Sequence, residues 1–446
     1  MSRDINSKYW DEELETMPRE ELEKRQLADL KEIVKFAYDN APYYKRSFDE
    51  AGVKPDDIQT LSDIQKFPFI NKKTQRDTQG VGSFLGELAA VPEEDVVFIS
   101  TSSGSTGVPT MSPFTKRDFD EFQDTESRWF WQVGMRPNDR YVHALNFSLY
   151  VGGPDVIGAQ NLGALCIWGG TLPSERLLFI LKTYQPTIIW TSPSYAWQLG
   201  EKALKQGIDP KKDLNIKKII VAGELGGSID ATRKAIEDLW GAEVYDFYGL
   251  SDIFGACAAM CEAKDGLHIA ENHILVETVD IHTGEVLKPG EVGELVFTTL
   301  RKHARPLIRF RTGDIGWIDN TPCSCGRTHG RIHINGRKDD MFIVSAVNVF
   351  PSDIEAVIRE LSGITGEYLI RVFEKDFTCK YSVEIEKNED NPKTDAEVAD
   401  EVSAALKARI GVKPYNVVVH PDGGLDTRSE HKSRRIIDER KLDFSI

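Results

Sequence analysis

The chain has 446 residues and a net charge of −16, because 71 Asp and Glu outnumber 55 Lys and Arg. A surface this acidic repels phosphate backbones, which argues against general nucleic-acid binding but permits one phosphate ligand held by local backbone N–H groups. The charged first residues lack the apolar run of a secretory signal, and no segment approaches the ~20 apolar residues of a membrane span. We therefore expect a cytoplasmic protein of about two to four structural units, whose six cysteines are thiols or metal ligands.

Helices dominate the first fifth of the predicted structure. Apolar residues between Leu27 and Tyr38 recur at helical spacing, and Asn40-Ala41-Pro42 marks the end of that helix. From residue 97 onward, short β-rich runs (VVFIS, ALCIWGG, TIIWTS and KIIVAG) alternate with helical stretches such as residues 174–184 and 231–239. Strands separated by helices predict crossover connections and a mostly parallel sheet. Between residues 272 and 297, shorter runs joined by HTGE and KPGE turns predict antiparallel strands.

A domain boundary is predicted near Gly336. After it come a strand (MFIVS), a helix over residues 352–361, two strands (EYLIRVF and KYSVEIE), a helix over residues 395–410 and a final strand (NVVVH). Strands and helices alternating over about a hundred residues predict a small α+β domain. The predicted fold class is therefore α/β, with a large first domain over residues 1–336 and a smaller one over residues 337–446.

The most distinctive local pattern is the run STSSGSTGVPT at residues 100–110, directly after the predicted strand VVFIS. Glycines let the backbone approach an anion closely, and successive N–H groups can converge on phosphate oxygens, with the hydroxyls as further donors. The run does not end in the Gly-Lys-Ser/Thr of a Walker loop. Read alone, the segment is either a flexible turn or a phosphate-binding loop.

Further motifs follow in order: AGE at 222–224, DFYGLSD at 246–252, RFRTGD at 309–314 and INGRKDDMFIVSAVNVFPSDIE at 334–355, with Lys432 in a polar loop near the end. In this order they resemble the adenylate-forming superfamily of acyl-CoA synthetases, peptide adenylation domains and luciferases. The segments YVGGPDVIGAQNLGA and DGLHIAENH narrow the resemblance to the phenylacetate–CoA ligase family. The resemblance covers nearly the whole chain.

This resemblance implies a large N-terminal adenylation domain with mixed sheets and flanking helices, followed by a small, mobile α+β C-terminal lid domain. It also implies an ATP-dependent aryl-acid CoA ligase: the acid and Mg-ATP give an acyl-adenylate and pyrophosphate, and CoA then displaces AMP. Asp339 matches the hinge about which the lid rotates between the two reactions. The expected partners are a small aromatic carboxylate, ATP and CoA, and the family suggests a homodimer.

The family motifs also assign residues to the nucleotide. Asp252 corresponds to the ligand of Mg²⁺ beside the α-phosphate, and Asp314 corresponds to the ribose ligand, since a carboxylate can accept from both sugar hydroxyls. Lys432 corresponds to the catalytic lysine, whose ammonium bridges the substrate carboxylate and the α-phosphate as negative charge develops. The remaining nucleotide-binding set is Ser102, Ser103, Gly104, Ser105, Thr106, Gly107, Ala222, Gly223, Glu224, Phe247, Tyr248, Gly249, Arg331 and Arg337.

The acyl pocket is predicted from the segment that lines the aryl group in this family. Two glycines beside aromatic residues make room for a flat ring, and Phe247 could close its other side. Asn146 lies where related ligases often read Tyr-Gly-Tyr, and its amide adds a polar group. We therefore expect a ring that carries an amino, hydroxyl, second carboxyl or indole N–H group. The predicted pocket residues are Asn146, Phe147, Tyr150, Gly152 and Gly153.

The chain departs from the superfamily pattern at several positions. Val108 stands where the loop usually carries a lysine, and Asp252 replaces the commoner Glu. Ser345-Ala346 replaces Arg-Gly in the hinge strand, which helps to shape the pantetheine channel. The acyl acceptor is therefore either CoA or another nucleophile, an amine or a carrier-protein thiol. A further alternative is a nucleotide-binding regulator that has lost the chemistry.

The cysteines support a second hypothesis. Some members of the family place zinc with a ligand set that corresponds here to Cys261, His268, Cys323 and Cys325. Four such ligands suit a closed tetrahedral site, in which zinc is structural rather than catalytic. Buried free thiols are the alternative. Cys257 is expected to lie one helical turn from Cys261 and could substitute as a ligand.

Overall fold

The structure is a computed structural model that describes residues 4–102, 109–145, 152–170, 172–344, 347–375, 378–425 and 435–440. Nine predicted site residues lie outside these ranges: Ser103, Gly104, Ser105, Thr106, Gly107, Asn146, Phe147, Tyr150 and Lys432. Within the ranges, none of the helices has the length and apolar character needed to cross a membrane.

The first long helix shows how the sequence pattern becomes structure. α2 buries Leu22, Leu30, Ile33 and Val34 on one face and ends just before Pro42, as the apolar spacing predicts. The α-helices of the described chain are α1 (Glu12–Glu15), α2 (Arg19–Asn40), α3 (Pro42–Ala51), α4 (Lys72–Thr78), α5 (Lys116–Gln132), α6 (Val156–Leu162), α7 (Ser174–Tyr184), α8 (Pro193–Lys205), α9 (Pro210–Asp213), α10 (Asp230–Trp240), α11 (Pro351–Glu360) and α12 (Asp395–Ile410). Short 3₁₀ turns cover Pro55–Asp57, Leu61–Lys66 and Glu93–Asp95.

The strands of the described chain fall into four sheets. They are β1 (Val96–Thr101), β2 (Met111–Thr115), β3 (Arg140–His143), β4 (Leu165–Trp168), β5 (Ile188–Thr191), β6 (Lys218–Val221), β7 (Glu243–Leu250), β8 (Phe254–Met260), β9 (Leu267–Ile269), β10 (Ile274–Val279), β11 (Gly293–Thr299), β12 (Phe310–Asp319), β13 (Arg331–Arg337), β14 (Phe342–Val344), β15 (Val347–Val349), β16 (Ile364–Lys375), β17 (Thr378–Lys387), β18 (Asn416–Pro421) and β19 (Ile436–Asp438).

One sheet of eleven strands organises the larger part of the chain, in the order β10-β11-β12-β13-β9-β8-β7-β6-β5-β3-β4. β4, β3, β5, β6 and β7 run parallel, which confirms the predicted crossover connections. β8 pairs antiparallel with β7, and β10, β11 and β12 are antiparallel as predicted. The direction of pairing therefore changes between β7 and β8, where the YGLSD motif connects them. We call this change from parallel to antiparallel pairing the switch point of the sheet.

The prediction for VVFIS is wrong in one respect. β1 pairs antiparallel with β2 in a separate two-stranded sheet and does not enter the parallel sheet. β1 ends at Thr101 and β2 begins at Met111, and a connection this short can join only antiparallel neighbours. This hairpin lies against the YGLSD motif, because the Ser100 hydroxyl donates to the Ser251 carbonyl (3.1 Å) and the Ser112 hydroxyl donates to the Asp252 carbonyl (3.1 Å).

The last hundred residues have a sheet and a core of their own. β14 and β15 form a hairpin, and the other strands form a sheet in the order β18-β17-β16-β19. Ile354 of α11, Ile370 of β16 and Val402 of α12 belong to a hydrophobic cluster that is separate from those around the large sheet. α11 also meets α10 of the larger part, where the Thr232 hydroxyl donates to Glu355 Oε1 (3.0 Å). The domain boundary near Gly336 stays a prediction.

Candidate active site

The YGLSD motif places a buried carboxylate at the switch point of the sheet. Asp252 is 2% exposed, and its Oδ1 accepts a hydrogen bond from the Thr110 hydroxyl (3.3 Å). The same hydroxyl lies 3.0 Å from Ser102 Oγ, so the base of the Ser/Thr/Gly loop contacts the YGLSD motif. Burial alone would raise the pKa of Asp252, but Lys72 and Arg305 hold it below its usual value.

Two cations that the sequence reading missed lie beside this carboxylate. Lys72, on the first turn of α4, forms an ion pair with Asp252 Oδ2. Arg305 Nη2 lies 4.0 Å from Asp252 Oδ1, and the Nε and Nη2 atoms of this buried guanidinium have no hydrogen-bond partner within the described chain. Burial lowers the pKa of Lys72, and the charges of Arg305 and Arg337 lower it further. Positive charge therefore exceeds negative charge around Asp252, as an anionic ligand requires.

A second carboxylate, that of the predicted ribose ligand Asp314, lies on β12, where it meets two other residues of the predicted nucleotide-binding set. Asp314 accepts from the Tyr248 hydroxyl at Oδ2 (2.5 Å) and from Arg337 Nη1 at Oδ1 (2.8 Å). Burial raises the pKa of Asp314, and Arg337 opposes the rise. Gly313 has φ +77°, and a Cβ there would lie 3.0 Å from Arg337 Nη2, so a larger residue would crowd the guanidinium. Three strands thus bring Tyr248, Asp314 and Arg337 together.

Four residues of the predicted nucleotide-binding set, Ala222, Gly223, Glu224 and Gly249, lie at the ends of β6 and β7. Gly223 has φ +90°, and Glu224 Oε1 accepts from the backbone N–H of Ser194 (2.8 Å), which turns this carboxylate toward the start of α8. At Gly249 a Cβ would lie only 1.8 Å from the Gly255 carbonyl oxygen, so the β7–β8 pairing requires glycine here. Ala222 directly follows β6, and its N–H donates to the carbonyl of Thr191 at the end of the neighbouring strand β5 (3.1 Å).

Phe247 is buried and belongs to an aromatic wall rather than to the nucleotide side chains. Its ring centroid lies 5.1 Å from that of Trp190, which in turn lies 5.6 Å from that of His143. His143 Nε2 is 2.9 Å from the Gly152 carbonyl oxygen, so this ring contacts the end of the predicted acyl segment. The structure therefore joins Phe247 and Gly152 through packed aromatic rings. Gly153 follows directly in the same turn.

Arg331 does not join the nucleotide residues. Its guanidinium is held by Asp265 (2.6 Å) and Asp319 (2.6 Å), and its backbone pairs with His268. Six positions along β13 separate it from Arg337, which corresponds to about 20 Å in a strand. Asp339 lies in the exposed turn after β13, where its carboxylate is 3.7 Å from Arg337 Nη2. The hinge role of Asp339 stays a prediction.

The four predicted zinc ligands come together in a buried group. The ligand atoms of Cys261, His268, Cys323 and Cys325 all lie within 4.8 Å of one another. Cys261 Sγ is 3.7 Å from Cys323 Sγ, and His268 Nε2 is 3.2 Å from Cys325 Sγ. The other ring nitrogen of His268 is 2.9 Å from the His329 carbonyl oxygen, the kind of contact that orients a histidine ligand.

Cys257 does not belong to this group. The prediction that it lies one helical turn from Cys261 is wrong, because residues 254–260 form strand β8. Four positions along a strand span about 13 Å, so the two thiols cannot share one ion. Cys257 is buried in the main hydrophobic core instead.

Comparisons with known proteins define the class of this chain. The family described as "AMP-binding enzyme" matches residues 15–300, and the family described as "AMP-binding enzyme C-terminal domain" matches residues 346–440. The solved structure of 2-hydroxyisobutyryl-CoA ligase with R3-HIB-AMP, in the postadenylation state, is similar at a TM-score of 0.91 and 29% identity, covering 98% of this chain and 95% of that one. The fold is therefore that of an adenylate-forming ligase.

Sequence relatives define the family more narrowly. The phenylacetate-coenzyme A ligase of Thermus thermophilus is 36% identical over 96% of this chain and 99% of its own length. The phenylacetate-coenzyme A ligase of Escherichia coli is 34% identical over 96% of this chain and 97% of its own length. The chain belongs to the phenylacetate–CoA ligase family of the AMP-binding enzymes.

Proposed function

We propose that this protein is an AMP-forming ligase that joins an aromatic carboxylic acid to CoA through an acyl-adenylate. The observation that carries this proposal is the pair of buried carboxylates at the switch point: Asp252 among cations, and Asp314 between Tyr248 and Arg337. Such a site can hold a nucleotide's sugar at one carboxylate and its phosphates at the other. The phenylacetate-coenzyme A ligases that the chain resembles are named for the same kind of reaction.

The nucleotide site follows from these contacts. Asp314 would accept from the ribose hydroxyls, with Tyr248 and Arg337 fixing its two oxygens. Lys72 and Arg305 would bind the phosphates, because their two positive charges exceed the single negative charge of Asp252, which lies beside both. Asp252 would hold Mg²⁺, since one carboxylate plus phosphate oxygens is the usual magnesium donor set, and the bound ion would neutralise phosphate charge. The loop residues 103–107 would add backbone N–H donors.

The two half-reactions require different positions of the C-terminal domain. The chain is similar to 2-hydroxyisobutyryl-CoA ligase at a TM-score of 0.91 in the postadenylation state, but at 0.72 in the thioesterification state with CoA. This difference supports rotation of a lid about Asp339 before CoA attacks. In the first position Lys432 would neutralise charge as the carboxylate oxygen attacks the α-phosphorus and pyrophosphate leaves.

The cysteine group supports a separate structural role. Four sulfur and nitrogen donors within 4.8 Å, one of them oriented by the His329 carbonyl, fit a tetrahedral zinc ion. Zinc would tie β8 and β9 to the loop that carries Cys323 and Cys325. The homodimer that the family suggests belongs with this proposal as well, and light scattering of the purified protein tests it.

Acid-dependent release of pyrophosphate, followed by CoA-dependent release of AMP, tests the proposed reaction. Lys432→Ala is expected to slow pyrophosphate release at least about 100-fold, while still converting a supplied acyl-adenylate and CoA to thioester. AMP release with an amine or a carrier thiol but not with CoA would assign another acceptor. Absence of pyrophosphate release with every aromatic acid would leave a nucleotide-binding regulator instead.

A further inference from the structure

A buried lysine contacts the backbone of the proposed magnesium ligand, and the proposed reaction assigns it no role. Lys302 lies in the connection between β11 and β12 and is 4% exposed. Its ammonium donates to the carbonyls of Asp252 (3.2 Å) and Ile253 (2.6 Å) and to Ser112 Oγ. It also lies 3.9 Å from the centroid of the Phe114 ring. Burying an ammonium is costly, and these contacts compensate the cost.

The hydrogen bonds of this lysine require its charged form. Carbonyl oxygens can only accept, and the hydrogen of the Ser112 hydroxyl goes to the Asp252 carbonyl (3.1 Å). The three acceptors therefore need three N–H donors, which an ammonium has and a neutral amine lacks. Burial and the charge of Arg305 lower the pKa of Lys302, whereas the carboxylates of Asp118 and Asp252 oppose this shift.

The ammonium connects two parts of the site that the reaction must align. Ser112 lies on β2, directly opposite Ser100 of β1, and residues 103–107 of the Ser/Thr/Gly loop lie between these strands in the sequence. Asp252 belongs to the switch point of the large sheet. One nitrogen atom therefore joins the hairpin to the switch point. Transfer at the α-phosphorus depends on such alignment, because small displacements of positioning groups cost rate steeply.

The segment that carries the lysine is itself held in place. Asp118, in the first turn of α5, accepts from the backbone N–H groups of His303 (2.8 Å) and Ala304 (2.9 Å). Arg305 follows directly, with Nη2 4.0 Å from Asp252 Oδ1. One short segment thus brings two cations to the same aspartate. The guanidinium lies beside its carboxylate, and the ammonium contacts its backbone carbonyl.

We propose that Lys302 is a positioning residue of the nucleotide site, which fixes Asp252 relative to the β1–β2 hairpin. This inference rests on the proposed ligase function, in which Asp252 holds Mg²⁺. Without the ammonium, the carbonyls of Asp252 and Ile253 lose a charge-assisted donor in the interior, and the connection between β7 and β8 must shift to find other partners. The carboxylate then no longer meets the metal in the geometry that the phosphates require.

The magnesium dependence of acid-dependent pyrophosphate release tests the proposal. Lys302→Met, which keeps the length of the side chain and removes its charge, is expected to raise the Mg²⁺ concentration for half-maximal release about tenfold, with the KM for the acid unchanged. Conversion of a supplied acyl-adenylate and CoA to thioester is expected to keep its rate, because it uses no triphosphate. Arg301→Met is the matched control, since the neighbouring guanidinium contacts Glu121 (3.2 Å) instead, and its magnesium dependence is expected to be unaltered.

An unchanged magnesium dependence in Lys302→Met, or equal slowing of both half-reactions, would mean a merely structural role and overturn the inference. Pyrophosphate release by the unaltered enzyme would still support the ligase function in that case. Absence of release by the unaltered enzyme with every aromatic acid would instead overturn the ligase function.

A second variant tests the same link from the hairpin. Ser112→Ala removes one acceptor of the ammonium and is expected to raise the half-maximal Mg²⁺ concentration about threefold. Combined with Lys302→Met it should add little, because both changes break one link, whereas full multiplication of the two effects would contradict the proposal. If Lys302→Met does not fold, Ser112→Ala decides alone, and a magnesium dependence equal to that of the unaltered enzyme would overturn the inference.

Discussion

Lys72 and Asp252 form an ion pair although 180 positions separate them in the sequence. The lysine starts α4 in the N-terminal part, and the aspartate follows β7 at the switch point of the large sheet. The superfamily loop usually carries a lysine at the position of Val108. Lys72 brings an ammonium from another part of the chain to Asp252, which also accepts from the Thr110 hydroxyl at the base of that loop.

The first prediction concerns this lysine. Lys72→Ala is expected to raise the KM for Mg-ATP about tenfold and to leave the KM for the acid unchanged, because the phosphates lose a charge-assisted contact. Lys72→Arg should recover part of the loss. Lys73→Ala is the matched control, since the neighbouring lysine is exposed and pairs with Asp77. Steady-state kinetics of pyrophosphate release give these values, and equal KM values for Mg-ATP in the two alanine variants would contradict the assignment.

The cysteine group gives a prediction that needs no activity assay. Protein purified without chelator is expected to contain about one zinc per chain by elemental analysis. Cys261→Ser and Cys325→Ser should lose the metal and lower the midpoint of thermal unfolding, because the buried donors lose the ion that joins them. Cys257→Ser is the control, since this buried thiol lies outside the group, and it should retain the metal. A zinc content far below one per chain in the unaltered protein would contradict the metal site and show that the four residues are buried without an ion.

The sequence predicted elements best where a local pattern decides the structure. The apolar spacing of α2 and the alternation around β5 and β6 correspond closely to the observed elements. The β1–β2 hairpin was misassigned, because a short run such as VVFIS looks the same in a parallel sheet and in a hairpin. The length of the connection that follows the strand decides whether it pairs antiparallel with the next strand or enters a parallel sheet.

Site residues divide in the same way. Tyr248, Asp314 and Arg337 lie within motifs whose order signals their role, and the fold brings them together. No motif assigned Lys72 or Arg305 to the site, and only the packing of distant segments reveals them. Arg331 shows the reverse error, since a basic residue near a motif is engaged by Asp265 and Asp319 instead.

A pH-dependent prediction follows from Asp246, which starts the DFYGLSD motif. Burial raises its pKa to about 7, although a hydrogen bond from the Ser228 hydroxyl opposes the rise. Between about pH 4 and pH 7, the Asp246 carboxyl is protonated in the folded protein but ionised in the unfolded chain. The free energy of unfolding therefore falls as the pH rises through this range. Asp246→Asn removes this titration.

The free energy of unfolding of Asp246→Asn minus that of the unaltered protein is expected to be about 2–3 kcal/mol larger at pH 8 than at pH 5. Urea unfolding of both proteins at the two pH values measures the gain. Asp238→Asn, at an exposed position on α10, is the control and should show no such difference. Parallel pH profiles for the unaltered protein and Asp246→Asn would mean that Asp246 is ionised in the folded state.

The contact between α10 and α11 predicts how the two half-reactions are balanced. Thr232 donates to Glu355 Oε1, while Tyr368 donates to Glu355 Oε2 (3.0 Å) from within the C-terminal domain. Removing the threonine hydroxyl leaves the carboxylate attached to its own domain but releases it from the larger one. Thr232→Ala should therefore slow acid-dependent pyrophosphate release about three- to tenfold, because the position observed here becomes less populated. Conversion of a supplied acyl-adenylate and CoA to thioester should not slow.

Thr232→Ser is the control, since it keeps the hydroxyl and should behave like the unaltered enzyme. Equal slowing of both half-reactions by Thr232→Ala would show that this hydrogen bond does not distinguish the two positions of the C-terminal domain.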